Sequence, residues 1–104
     1  MTQLSDLEIS EALALAIGWK EEQIHKNLFI DVLQVTVRNY GEWAVMQAFD
    51  YRDWNVIGPI AEKYNCFPTK MGYGLWDASI AFGTIYGAET PQKAIALAVI
   101  GAEK

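Results

Sequence analysis

Apolar and polar residues change their spacing several times along this chain, and each change marks an element. Over residues 5–17, Leu7, Leu13, Ala14 and Ile17 recur at helical spacing, while Glu8 and Glu11 mark the wet side. Ser5-Asp6-Leu7-Glu8 reads as a capping box: the Ser5 hydroxyl accepts from the Glu8 N–H, and the Glu8 carboxylate accepts from the Ser5 N–H. Leu4, just outside the cap, is placed to pack on Ile9. Gly18 stands where a left-handed C-terminal residue is expected, and Trp19 folds back on the helix end.

Residues 20–27 are polar and mixed in charge, so they read as a loop with at most a short turn. From Leu28 the period falls to two. In residues 33–38 the apolar positions alternate with Gln34, Thr36 and Arg38. Asn39-Tyr40-Gly41-Glu42 supplies turn chemistry, and residues 43–49 resume a strand rich in aromatic and β-branched residues. The two runs predict an antiparallel hairpin with one face on a core and the other wetter.

Residues 50–53 end that hairpin. Asp53 is a good N-cap for a helix over residues 54–64. Gly58-Pro59 leaves a second possibility, because proline is tolerated only in a first turn: the regular helix then starts nearer Gly58, after a turn over 53–57. Ile60, Ala61 and Tyr64 face the core in either case. A break follows at 65–68, where Pro68 disfavours helical geometry at Phe67. Residues 70–87 carry Gly72, Gly74, Gly83 and Gly87 around Leu75–Phe82 and Thr84-Ile85-Tyr86, and read as a second hairpin or two short strands. Thr90-Pro91 then starts a helix over 92–100 that is apolar on more than one face, and Gly101 is expected to stop it. The order α-β-β-α-β-β-α predicts an α+β fold, a small antiparallel sheet with packed helices.

Composition narrows the class. The chain has 104 residues, which fits a single domain over 1–104; it is 52% hydrophobic and 20% charged, an ordinary globular balance. A net charge of −5 opposes binding to long nucleic acid or anionic lipid. No apolar run approaches the ~20 residues a membrane span needs, and no basic leader precedes an apolar run. The single cysteine, Cys66, excludes an intrachain disulfide and fits a cytoplasmic setting.

A helix ending in Gly18-Trp19, a mid-chain Asp53-Trp54-Asn55 with Gly58-Pro59 and Glu62-Lys63, and a terminal Thr90-Pro91-x-x-Ala94-Ile95-x-Leu97-Ala98 resemble the phage ABA-sandwich domain family of small phage-encoded proteins. The resemblance runs from end to end. It implies the α+β fold and a phage or prophage origin, and it carries over no catalytic residue. By analogy of origin, it also brings to mind small phage proteins that sequester host immune nucleotide signals.

Candidate chemistry is sparse. Ser79, Cys66 and His25 are far apart in sequence, and no nucleophile motif surrounds Ser79. His25 reads as an exposed loop residue and Cys66 as an apolar filler. Asp31, Asp50, Asp53 and Asp77 match no metal-ligand spacing, and Asp53 is accounted for as a cap. Gly72-x-Gly74 lacks the third glycine and the helix of a nucleotide fingerprint. No cofactor or metal is expected, and a catalytic role is the weaker expectation.

The aromatic residues are the more suggestive signal, with four Trp, five Tyr and four Phe. Several sit at element ends, and both arginines lie beside aromatics. Aromatic faces stack on bases and guanidinium groups bind phosphate. Arg38, Trp43, Tyr51, Arg52, Trp54 and Trp76 are therefore the expected ligand-binding residues. The expected function is a non-catalytic module that holds a small anionic, nucleotide-like ligand as a homo-oligomer. The alternatives are a module that inhibits a host protein and a small nucleotide-processing enzyme.

Overall fold

The computed structural model describes residues 4–27, 29, 32–80 and 85–102. Its first helix, α1 (Asp6–Ala16), starts on the expected capping box: Ser5 Oγ accepts from Glu8 N at 3.2 Å, and Glu8 Oε1 accepts from Ser5 N at 2.9 Å. The helix closes on a left-handed Gly18 (φ +110°), with Trp19 N–H reaching back to the Ala14 carbonyl at 3.0 Å and Gly18 N–H to Leu15 at 3.2 Å. Those two bonds satisfy carbonyls that a helix end leaves orphaned. Ile9, Leu13 and Ala14 are buried on its inner face.

A short 3₁₀ turn, Glu21–Gln23, leads into β1 (Ile24–Asn27). The expected loop over 20–27 is thus half strand. β1 was invisible to periodicity because it is only four residues long and its two middle residues, His25 and Lys26, are both exposed, Lys26 bound to Glu11 of α1 at 2.9 Å. β2 (Val32–Asn39) and β3 (Ala44–Ala48) form the expected hairpin, and the sheet order is β1-β2-β3, all antiparallel. A bulge at Val37 interrupts the β2–β3 register between Thr36 and Arg38. The expected core-facing side of β3 is corrected by the structure: all five residues of β3 are exposed. Leu33 and Val35 of β2 take the burial against α1, and β3 stands outside that contact, with Phe49 just beyond it returning to the core.

Helix α2 (Trp54–Lys63) starts at once on Asp53, whose Oδ1 accepts from Asn55 N at 2.9 Å, and runs straight through Gly58-Pro59. The clash that keeps the residue before proline out of helical geometry involves its Cβ, and Gly58 has none. The helix ends on left-handed Asn65 (φ +51°), with Cys66 N–H bonded to the Ala61 carbonyl at 2.8 Å and the Cys66 thiol buried.

The second sheet comprises β4 (Thr69–Lys70), β5 (Trp76–Ala78) and β6 (Tyr86–Ala88), in the order β4-β5-β6 and antiparallel. Gly72–Gly74 forms a 3₁₀ turn between β4 and β5. The sequence expectations at Leu28, Asp31, Ala81, Phe82, Gly83 and Thr84 lie outside the described residues. Helix α3 (Pro91–Ala102) opens on Thr90, whose Oγ1 accepts from Lys93 N at 3.2 Å. Gly101 does not stop it. The helix continues through Gly101, where an added Cβ would run into the phenol of Tyr86.

The fold is α+β, in the described order α-β-β-β-α-β-β-β-α, with two three-stranded antiparallel sheets where one was expected. α3 is the central element: it packs on α1, α2, β5 and β6, and buries Ala94, Ile95, Ala96, Ala98, Val99 and Ile100. α1 carries the first sheet. The result is elongated, 50 × 27 × 24 Å. Among the described residues no helix is long and apolar enough to cross a membrane.

Candidate ligand-binding site

The arginine and aromatic residues singled out in the sequence do not gather in one place. Residues 50–52 form a tight connection instead. Arg52 grips Asp50 through Nε (3.0 and 3.2 Å) and Nη2 (2.8 Å), and its Nη1 reaches Asp6 Oδ2 at 3.1 Å. Its backbone carbonyl accepts from Gln92 Nε2 at 3.2 Å. Tyr51, only 2% exposed, donates its phenol to Asp6 Oδ1 at 2.5 Å and its N–H to Ser10 Oγ at 3.1 Å. This knot ties the end of the hairpin to the start of α1 and to α3.

The electrostatics follow from those contacts. The Arg52 hydrogen bonds hold the Asp50 carboxyl below the usual carboxylate range, and Asp50 in turn raises the Arg52 guanidinium still further. Burial, then the Asp6 carboxylate, pushes the Tyr51 phenol well above an ordinary tyrosine. Arg52 is therefore charge-compensated, and Tyr51 offers no free ring face to a base.

Trp54 is the first residue of α2, 52% exposed, and lines none of the hollow described below. Trp76 lies on β5 in the second sheet, packed on the core with Lys70 Nζ 6.0 Å from its ring centre.

Arg38 and Trp43 do come together. They line a hollow of about 530 Å³ beside the tip of the first sheet, with Glu22, Gln23, His25, Thr36, Glu42 and Met46 among its walls. β2 and β3 supply Arg38 and Met46, and the turn between them supplies Trp43. That turn is held by Tyr40 N–H to the Trp43 carbonyl at 2.8 Å and Gly41 N–H to Asn39 Oδ1 at 3.1 Å. Trp43 is 62% exposed, and its ring stacks on Tyr40 at 4.4 Å between centres. Arg38 Nη1 lies 3.4 Å from the Tyr40 hydroxyl and, among the described residues, forms no ion pair. His25 and Thr36 face each other across β1 and β2, with Nε2 and Oγ1 2.8 Å apart.

The hollow thus offers one uncompensated guanidinium, a hydroxyl–imidazole pair, an exposed indole and two carboxylates. A guanidinium suits one phosphate or carboxylate, and an exposed indole suits a flat ring. Glu22 and Glu42 accept from amino groups and oppose a ligand of high negative charge. His25, Thr36, Glu22 and Met46 were not singled out as ligand-binding from sequence. The signal that would have found them is alternation in the short β1, which puts His25 on the Thr36 side of the sheet. Among the described residues no group of three or more His, Cys, Asp or Glu is placed to hold a metal ion. No family model matches the chain, and no curated protein matches it.

Proposed function

We propose that this protein is a non-catalytic binding module, and that the hollow beside the tip of the first sheet receives a small anionic, nucleotide-like ligand. The observation that carries this reading is Arg38: of the two arginines, it is the one that forms no ion pair among the described residues, and it lines the same hollow as the exposed indole of Trp43. A volume of about 530 Å³ falls in the range of small-molecule sites, about 300–1,000 Å³. The two glutamates limit the charge it takes, so the fitting ligand carries one phosphate per hollow and a base with amino groups. Binding without turnover suits a sequestering role. A phage origin and a cytoplasmic setting belong to the same proposal, on the resemblance alone.

Titration with purine and pyrimidine mononucleotides tests it. Arg38→Ala is expected to weaken binding about tenfold or more, since an arginine–phosphate pair is a charge-assisted, two-pronged contact. Trp43→Ala should act in the same direction. Arg52→Ala should leave affinity unchanged while lowering stability. Equal affinity in Arg38→Ala, or no binding of any mononucleotide, would remove the reading.

A second reading, a module that inhibits a host protein, is favoured by a specific observation: Trp43 at the hairpin turn is 62% exposed, and Val45 and Met46 of β3 beside it are exposed as well. Exposed aromatic anchors of this kind dominate protein interfaces. A single host protein bound at fixed stoichiometry, and lost in Trp43→Ala, would favour it.

A further inference from the structure

The outer edge of β3 has a chemistry of its own. Among the described residues β3 pairs only with β2, which leaves one side of its backbone without a strand neighbour. Phe49 N–H bonds the Leu33 carbonyl at 2.8 Å and Tyr40 N–H bonds the Trp43 carbonyl at 2.8 Å. In an antiparallel pair, bonded and non-bonded residues alternate. With Val35 opposite Gln47 and Arg38 opposite Val45, the residues turned toward β2 are Gln47 and Val45. Ala44, Met46 and Ala48 therefore direct their N–H and C=O groups away from the sheet.

Natural sheets blunt such an edge with lysine, proline, a bulge or a covering loop. β3 is Ala-Val-Met-Gln-Ala, without charge or proline. The bulge lies on β2, at Val37, and not on β3 itself. Val45 and Met46 are 40% and 39% exposed. The other edge of the sheet is β1, where Lys26 sits in an ion pair with Glu11, so only β3 is unguarded.

We propose that β3 pairs antiparallel with β3 of a second copy of this chain, joining two three-stranded sheets edge to edge. The edge of β3 is self-complementary. A two-fold axis at Met46 puts Met46 opposite the partner's Met46 and Ala44 opposite the partner's Ala48. The outward-facing residues then meet one another, and every free N–H and C=O on Ala44, Met46 and Ala48 finds a mate. Val45 faces the partner's Gln47, with no charge in the strand to oppose it. Glu42 lies toward the partner's Asp50, whose charge is already taken by Arg52 within its own chain. Ala44 and Met46 also line the hollow, so pairing brings the two hollows side by side across the joined sheet. The inference does not rest on the ligand reading, because the edge is free whatever the hollow holds.

A five-residue pairing falls below the roughly 1,200 Å² of a standard interface, so a weak dimer is expected, with Kd of about 10–100 µM. Sedimentation velocity on the full chain from about 1 µM to about 500 µM, in salt that screens the like net charges, reads it directly. The expected result is an 11.7 kDa species that gives way to one of twice that mass as concentration rises. Met46→Lys sets like charges against each other at the axis and should weaken association at least tenfold with the melting temperature held. Ala48→Pro removes an outward N–H without touching the β2 ladder and should do the same. A chain that stays monomeric throughout overturns the proposal, as does a dimer that survives both folded variants. Mononucleotide binding, measured on the same samples below the dimer Kd, reports on the hollow separately.

Discussion

Replacing Tyr51 by Phe separates a structural role for this residue from the ligand-binding role expected from its place in the sequence. The ring is buried to 2% exposure, and phenylalanine keeps that burial, so the change removes only the hydroxyl. The hydroxyl donates to the Asp6 carboxylate at 2.5 Å. A hydrogen bond to a charged group contributes about 1.5–3 kcal/mol. Asp6 is 44% exposed, so water replaces part of what is lost, and the low end of that range applies, about 1.5 kcal/mol. For a domain of this size, 1 kcal/mol moves the melting temperature by about 4–8 °C, so Tyr51→Phe should melt about 6–12 °C below the parent. Urea unfolding followed by circular dichroism gives the free energy. Alkaline pH supplies a second readout. The folded phenol titrates above the ordinary tyrosine value of about 10, because burial and Asp6 disfavour phenolate, so the parent holds this stability below about pH 10 and loses it as pH rises further. The variant should lack that part of the alkaline loss. A variant within about 0.5 kcal/mol of the parent, or one that keeps its stability and loses ligand affinity, would refute the reasoning.

Gly101→Ala should destabilise by about 2 kcal/mol or more, because the new methyl meets the Tyr86 phenol inside a packed interface, and Tyr86→Ala in the same chain should recover part of the loss; thermal melts of the single and double variants check both. Pro59→Ala should stabilise by about 1–2 kcal/mol, since it restores the bond to the Asn55 carbonyl in the interior of α2, less the ~0.4–1 kcal/mol that proline contributes by restricting the unfolded chain. Acid should loosen the knot at residues 50–52. The Asp50 carboxyl is held below the ordinary carboxylate range by Arg52, so its contribution is present above about pH 4 and lost as pH falls through the lower folded value, and melts between pH 6 and pH 3 should show a loss of up to about 1 kcal/mol that Asp50→Asn abolishes.

Helix starts were legible in the sequence because a cap is a local contact. Ser5 with Glu8, Asp53 with Asn55 and Thr90 with Lys93 all act within three residues, and each starts its helix, Asp53 deciding for the earlier of the two starts the pattern left open. The departures come from contacts that cross the chain. Gly101 reads as a stop when only its neighbours are considered, yet its lack of a side chain answers Tyr86, which arrives from β6. Gly58-Pro59 leaves open a helix that starts only near Gly58, yet α2 is regular from Trp54 and buries Ile57, Ile60 and Ala61 on both sides of that pair. Periodicity found β2 because Leu33 and Val35 are buried on one face, and it overstated β3 because alternation shows which residues share a face and not whether anything covers that face.

The same limit applies to the site. Arg52 and Arg38 look alike in sequence, each within two residues of an aromatic residue. Arg52 is compensated by one acid two residues away and by another forty-six residues away, and only the second distance is invisible without the fold. Arg38 lies past the bulge, toward the tip of the hairpin, where no carboxylate of the described chain forms an ion pair with it. What separates a structural arginine from one free to bind is therefore the reach of α1: Asp6 stands at its first turn and meets residues 51 and 52, and its eleven residues, about 16 Å of helix, cover the base of the first sheet and leave its tip open. The exposed tip and the uncompensated guanidinium have one cause, a sheet longer than the helix that supports it.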